Sequence, residues 1–412
     1  MHSVFYWVGR EPEERISYLN ATWVWTVFLS SLVIVVGLFS QNWISSHLDL
    51  PYQYVVLLLI TGTIFTPAGH FTETSIALGK NIGSIFDTVT ELMKAVGFIL
   101  VAWKYKDLYR LFIFYTAFMS VKIVVASILN KKINYIGFKT SREHLIKVFK
   151  YALPMSVAAL LGFFVDKIDL LLLSSHLDGA SFAYYSLGCL TVPPLYLLEM
   201  SVQKVLIPSI AKTYLSKEWD EGAAAFRKAI KDIAFLIIPS IFGLVTFAVP
   251  IVRMFYTDQY LESVPYLQIF AFSYLLLMLP HDSVARATGH TSWNLKMYLI
   301  TTPISLAGAY FAVNHYGAKA VLIVSIAIKF IPKFLGLSFS KKVMHWKWLD
   351  MMPTKHLFLF SAICTGLSIG CLLLHRFFTN DIHWFLVCGS AFGVIYLALA
   401  TFIGNRGIYA KV

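Results

Sequence analysis

The stretch "YALPMSVAALLGFFVDKIDLLLLSSHLDGASFAYYSL", from Tyr151 to Leu187, begins as a membrane helix begins and then breaks the rule for one. Its first part is apolar and long enough to cross a bilayer, yet Asp166, Lys167 and Asp169 stand inside the run. A charge at the bilayer centre costs at least about 3 kcal/mol on insertion scales, so such residues normally face a bundle interior or a wet cavity. The stretch predicts a helix inside a larger bundle, with one polar face.

The rest of the chain agrees. Apolar residues make up 58% of 412 and charged residues 14%, and the mean hydropathy is +0.69. Apolar runs of about 18 residues or more recur between short polar loops, the pattern of a polytopic, all-α membrane protein. The opening "MHSVFYWVGREPEER" is charged by Arg10 and its apolar part is short, which predicts no cleavable signal peptide. Cys189, Cys364, Cys371 and Cys388 all fall in apolar segments. They read as small core residues, with neither a disulfide framework nor a metal spacing. No cofactor motif is present.

About twelve spans can be placed, near 21–40, 52–70, 85–104, 108–130, 149–175, 181–207, 228–252, 263–283, 292–313, 317–338, 355–375 and 382–403. With the N-terminus cytoplasmic, the inside segments hold 22 of the 34 Lys and Arg and the outside loops hold 6. The other six (Lys94, Lys122, Lys167, Lys204, Lys329 and Lys333) lie within spans. That bias predicts both termini in the cytoplasm. It also accounts for the net charge of +12 without a nucleic-acid partner. The longest loop, "LNKKINYIGFKTSREHLIKVFK" (Leu129–Lys150), is basic and separates four spans from eight.

Two stretches echo one another. "YWVGREPEERISYLNATWVWTVFLSSLVIVVGLFS" and "KTYLSKEWDEGAAAFRKAIKDIAFLIIPSIFGLVTF" each run from an aromatic through mixed charges into a span. If the spans at 21–40 and 228–252 correspond, the next three pair off in order, and nothing at the front matches 149–175 and 181–207. Repeated halves are common in transporters, where the substrate site lies between them near mid-membrane.

At these residues the chain resembles a known family. The stretch from Tyr151 has a basic lead-in, an early Leu-Pro, a late Ile-Asp, a short outer loop with Gly, then Tyr-Ser. That order resembles the seventh-helix signature of bacterial polysaccharide exporters, the Wzx-type (O-antigen) flippases of lipid-linked oligosaccharides. "VLIPSIAKTY", "MFYTDQYLESVPYLQIFAF", "ARATGHTSWNLK" and "HYGAKAV" are similar to later segments of the same family. Thr257 departs from it, standing where Gly is usual, and Lys319 replaces a small residue. The superfamily also holds multidrug and toxin exporters. The resemblance implies a MATE-like fold of two lobes in a V. It implies an N-terminal lobe over 1–146, a six-helix C-terminal lobe over 147–340 and an extra C-terminal helix pair over 341–412. Compared with the second, the first lobe is expected to lack its front two helices, either through a misplaced start, in which case an in-frame apolar hairpin of about 60 residues precedes Met1 in the genome, or through a real truncation.

The resemblance further implies flipping of a polyprenyl-pyrophosphate-linked oligosaccharide across the bacterial cytoplasmic (inner) membrane, by alternating access coupled to an ion, H+ or Na+. Membrane lipid is then the surrounding partner, with a polysaccharide polymerase and glycosyltransferases as associates. Lysine ammoniums neutralise a pyrophosphate without demanding one geometry. Lys167 and Lys204 are the substrate-binding candidates, with Lys94 and Lys122 in the first lobe. Carboxylates in such a cavity take up and release a cation, which makes Asp166, Asp169 and Glu199 the ion-coupling candidates. Against this stands simple neutralisation: Glu91 and Lys94 are three apart and able to pair along one helix, Lys333 is placed to snorkel, and Arg253 and Asp258 read as interface anchors. Asp169 lies close enough to the outer surface to be a loop-edge acid. "TVPPLY" around Pro193 and Pro194 is the hinge candidate.

Two other classes are weighed. A multidrug exporter of the same superfamily suits an acidic or apolar cavity, whereas six lysines within spans favour an anionic substrate. A membrane enzyme such as an oligosaccharide polymerase or ligase tends to carry one large outer loop. "LPHDSVARATGH" gathers His281, Asp282, Arg286 and His290 but lacks a nucleophile. The expectation is a transporter and not an enzyme.

Overall fold

The computed structural model describes residues 2–48 and 51–409, and nearly all of them are helical. The chain divides into two compact units, Met1–Leu153 and Pro154–Val412.

The first unit opens with α1 (His2–Arg10) and a short 3-10 turn, followed by α2 (Arg15–Leu48), α3 (Tyr52–Ala77), α4 (Ile82–Tyr105) and α5 (Leu108–Ile133). Helix α3 lies against α2, α4 and α5. Lipid is as apolar as Leu, so burying Leu gives little reason for helices to associate there; close packing and internal hydrogen bonds do. Accordingly α3 buries Thr61, Thr63, Thr72, Thr74 and Ser75, and Thr61 Oγ1 meets Thr116 Oγ1 of α5 at 2.6 Å. The large apolar side chains Phe39 and Trp103 are instead exposed on the outer surface of the unit. The α4–α5 turn is tight because Lys106 takes a left-handed φ of 50° and the Asp107 side chain accepts from Tyr109 N. The loop after α5 is tied back to α2: Asn20 Nδ2 donates to Lys139 O at 2.7 Å, and Gly137 N donates to Asn20 Oδ1 at 2.8 Å.

Helix α6 (Arg142–Leu173) contains the division between the units. The second unit continues with α7 (Gly179–Gly188), α8 (Pro193–Ser216), α9 (Trp219–Thr246), α10 (Ala248–Tyr256) and α11 (Val264–Ala271). Then come α12 (Ser283–Ala287), α13 (Thr291–Val343), α14 (Trp348–Met351), α15 (Thr354–His375), α16 (Asp381–Trp384) and α17 (Ser390–Tyr409). Its largest core surrounds α9, whose Ile233, Ile237 and Ile241 recur every fourth residue. Phe360 and Cys364 of α15 and Phe392 and Tyr396 of α17 close over them, and Tyr396 Oη donates to Phe235 O at 2.7 Å.

Four expected spans have a different form. The run 181–207 is not one helix: it breaks between Gly188 and Pro193, and α8 continues to Ser216. Two prolines in succession cannot donate to a preceding turn, so they begin a helix and do not continue one. The run 263–283 is α11, then a 3-10 stretch, then an extended turn before α12. The runs 292–313 and 317–338 form α13, which folds back on itself at Gly317. There the backbone takes φ 75° and ψ −173°, a region open almost only to glycine. The two halves lie side by side, since a methyl group on Gly308 would fall 2.6 Å from Ile328 Cδ1.

Eight segments among the described residues are long and apolar enough to cross a membrane. Helices α4, α6 and α8 have 24, 32 and 24 residues, long enough for a hydrocarbon core of ~30 Å, but none is among the eight, and all three carry charges inside the run. The protein is a multi-pass membrane protein.

Candidate functional site

In the second unit the charges of α6 and α8 lie in two groups. Asp169 is 3% exposed, and Tyr185 of α7 donates its hydroxyl to Asp169 Oδ2 at 2.7 Å. Asp166, one turn earlier, is exposed. Its backbone carbonyl accepts from Lys329 Nζ of α13 at 3.0 Å. Lys167 is half-buried and has no ion pair among the described residues.

The second group centres on Glu199 of α8, 9% exposed. Gln203 Nε2 donates to Glu199 Oε1 at 3.0 Å. Lys333 Nζ of α13 lies 3.8 Å from the same oxygen and also donates to Leu279 O at 3.3 Å. Beside Leu279 the chain turns into α12, where Arg286 Nη2 and Asp282 Oδ2 pair at 2.5 Å. His281, 6% exposed, fits into that turn because α13 presents Gly336 to it. A Cβ on Gly336 would lie 2.5 Å from His281 O, so no larger residue lets α13 come so close. Lys204 is half-buried, one turn beyond Met200 on α8.

The two groups share one element. Lys329 and Lys333 are four apart on α13, so they project from one face about one turn apart. Lys329 reaches α6 and Lys333 reaches α8. Sequence position alone predicts Lys333 at an interface and Asp282 and Arg286 outside any site; the fold brings all three beside Glu199 or its neighbouring turn. The available signal was the four-residue spacing of two lysines in an apolar run.

The first-unit candidates have a different setting. Lys122 of α5, whose side chain is 5% exposed, lies 2.9 Å from Asp87 Oδ1 and 3.2 Å from Glu91 Oε1 of α4. Lys94 pairs with Glu91 on the same helix and faces the Tyr115 ring at 5.8 Å. Two acids match two bases here. Removing Lys122 from water is tolerable because both carboxylates accept from it.

The residues therefore offer half-buried cations on α6 and α8, and buried carboxylates on the same two helices held by Tyr185, Gln203 and Lys333. Such a site can attract an anion, or hold a cation at a carboxylate, without bond-making chemistry.

A sequence-family profile described as "Polysaccharide biosynthesis protein" matches residues 8–265. No curated protein sequence matches the chain. Among solved structures, the inward closed conformation of the lipid II flippase MurJ is similar with a TM-score of 0.65 at 18% identity, over 99% of this chain and 88% of that one. The Vibrio cholerae MATE transporter VcmN in its bent form is similar with a TM-score of 0.62 at 14% identity, over 84% of each chain. An outward-facing multidrug resistance MATE family transporter of the MOP superfamily has a TM-score of 0.65 at 14% identity, over 84% of this chain and 82% of that one. At these identities the likeness establishes the fold.

Proposed function

The chain belongs to the polysaccharide biosynthesis protein family, and from that premise we propose that it moves a polyprenyl-pyrophosphate-linked oligosaccharide across the bacterial cytoplasmic membrane. The observation that supports this most is the half-buried Lys167 on a helix of spanning length, with no ion pair among the described residues. An unpaired ammonium at membrane depth is costly unless an anion visits it. Lys167 and Lys204 bind the pyrophosphate or an acidic sugar. Asp166, Asp169 and Glu199 take up the coupling ion, H+ or Na+. Lys94 and Lys122, matched by Asp87 and Glu91, contribute only if those pairs open.

In this reading the regions 1–146 and 147–340 act as two lobes, 341–412 adds a helix pair, both termini are cytoplasmic, and no bond is made or broken. Glycosyltransferases supply the lipid-linked oligosaccharide and a polymerase consumes it. The similarity to multidrug MATE transporters keeps drug export as the second reading; the basic residues of α6 and α8 favour an anionic substrate over a cationic drug.

The test is surface polysaccharide in cells carrying single variants at normal protein level. Lys167→Ala and Lys204→Ala each lower it, and arginine restores it in part. Asp166→Asn and Glu199→Gln keep transport in liposomes but remove its dependence on the ion gradient. Full polysaccharide in both alanine variants refutes the substrate assignment, and unchanged gradient dependence in both amide variants refutes the coupling assignment.

A further inference from the structure

We propose that the loop from Lys131 to Arg142 is a binding site for the headgroups of anionic phospholipids in the surrounding bilayer. The apolar run of α5 ends at Leu129, and Lys131 and Lys132 occupy its last turn. The hydrocarbon core therefore gives way to headgroups at this point. The sequence "KKINYIGFKTSR" that follows holds four bases and no acid. Lys131, Lys132, Lys139 and Arg142 are all exposed, and none has an ion pair among the described residues. Between them Tyr135 and Phe138 are 76% and 67% exposed.

The presentation of these side chains is built into the fold. Ile136 is buried in a small core with Val4, Leu19 and Trp23, and Ile136 N donates to Asn130 O at 3.2 Å. Asn20 holds the loop by two hydrogen bonds, to Lys139 O and from Gly137 N, and Thr140 Oγ1 donates to Ser17 O at 3.0 Å. Tyr135 is fixed in a left-handed conformation, φ 58°, which carries its ring outward while Ile136 turns in. A loop free to move has no need of such anchors. A loop held at the membrane surface with aromatic tips and unmatched bases suits a phosphodiester above and acyl chains below. The bases supply the attraction to negative charge, and the rings occupy the layer between hydrocarbon and water. Neither role involves Lys167 or Lys204, so the proposal goes beyond the transport reading and stands or falls separately from it.

The experiment uses the full chain purified in neutral detergent, with phosphatidylglycerol, phosphatidylethanolamine or inorganic phosphate added. Bound lipid is counted by native mass spectrometry and the unfolding temperature is followed in parallel. The wild type retains phosphatidylglycerol and melts higher with it, and phosphatidylethanolamine does neither. Joint replacement Lys131→Gln, Lys132→Gln and Lys139→Gln lowers affinity for phosphatidylglycerol at least about tenfold, whereas the three arginine replacements keep it. Tyr135→Ser with Phe138→Ser weakens retention while leaving the bases in place. Equal retention by the glutamine variant overturns the site. An equal rise in unfolding temperature with inorganic phosphate assigns the bases to a soluble anion and overturns it as well.

Discussion

Lys333 Nζ lies 3.8 Å from Glu199 Oε1 with both side chains largely out of water, at 14% and 11% exposure. The Glu199 carboxylate therefore depends on one cation from α13 and one amide, Gln203, from its own helix. Replacing Lys333 by Met leaves a buried carboxylate without its ion-pair partner on α13, a change expected to cost about 3 kcal/mol. Adding Glu199→Gln to Lys333→Met returns most of that loss, because the remaining amide needs no counter-charge. Thermal unfolding of the two single variants and the double variant measures the coupling. If the double variant loses as much as the sum of the singles, the pair is not coupled.

Tyr185 and Asp169 form the second dependent pair. The phenol is fully buried and donates to a carboxylate that is itself buried. Tyr185→Phe removes the donor and leaves Asp169 Oδ2 without it, expected to cost about 2 kcal/mol, as for a bond to a charged group. Asp169→Asn keeps an acceptor for the hydroxyl and removes the charge, so its loss is smaller. An unfolding temperature that falls more in the asparagine variant than in the phenylalanine variant would refute this ordering.

Lys122 and Lys94 are distinguished by burial and not by charge. Lys122→Ala leaves Asp87 and Glu91, one turn apart on α4, without their shared partner from α5, and is expected to destabilise by about 2 kcal/mol. The two carboxylates are 45% and 46% exposed, so water screens part of the effect. Lys94→Ala removes a half-buried partner of the exposed Glu91 along one helix and is expected to change stability by less than about 1 kcal/mol. Unfolding temperatures of the two variants in one detergent decide it, and equal shifts would contradict the difference in burial.

Much of this was legible in the chain, and what was not has physical causes. The charges on α6 and α8 stand out because lipid tolerates few of them, and Pro193-Pro194 announces the break before α8. Glu91 with Lys94 is readable from spacing along one helix. The contact between Asp87 and Lys122 is not, because it depends on the register of two helices. Asp166 and Asp169 share a helix face by spacing. A face is wide enough, however, that one residue packs on Tyr185 while the next turn is exposed. Asp169 is accordingly a buried acid and not a loop-edge one. The run 263–283 is apolar on every side, so it carries no period that distinguishes a continuous helix from a 3-10 stretch and a turn.

Thr257 joins the sequence reading to the backbone. It departs from the exporter pattern that the chain resembles, which implies Gly at this position, and it takes φ 77° and ψ 168° in the turn after α10. That region is open almost only to glycine, and a residue with a Cβ is strained there by about 1–3 kcal/mol. Thr257 is exposed and lies in a turn stapled by Arg253, whose Nε donates to Asp258 Oδ1 at 2.5 Å. The staple holds the chain in the strained conformation. Thr257→Gly relieves the strain and adds roughly 0.5–1 kcal/mol of freedom to the unfolded chain. The net expectation is a gain of about 1 kcal/mol. Thr257→Ala is the control, because it shortens the side chain and keeps the Cβ that causes the strain. Thermal unfolding should place the glycine variant above the wild type, with the alanine variant close to the wild type. A glycine variant that melts at or below the alanine variant would show that the turn holds no strain for glycine to release.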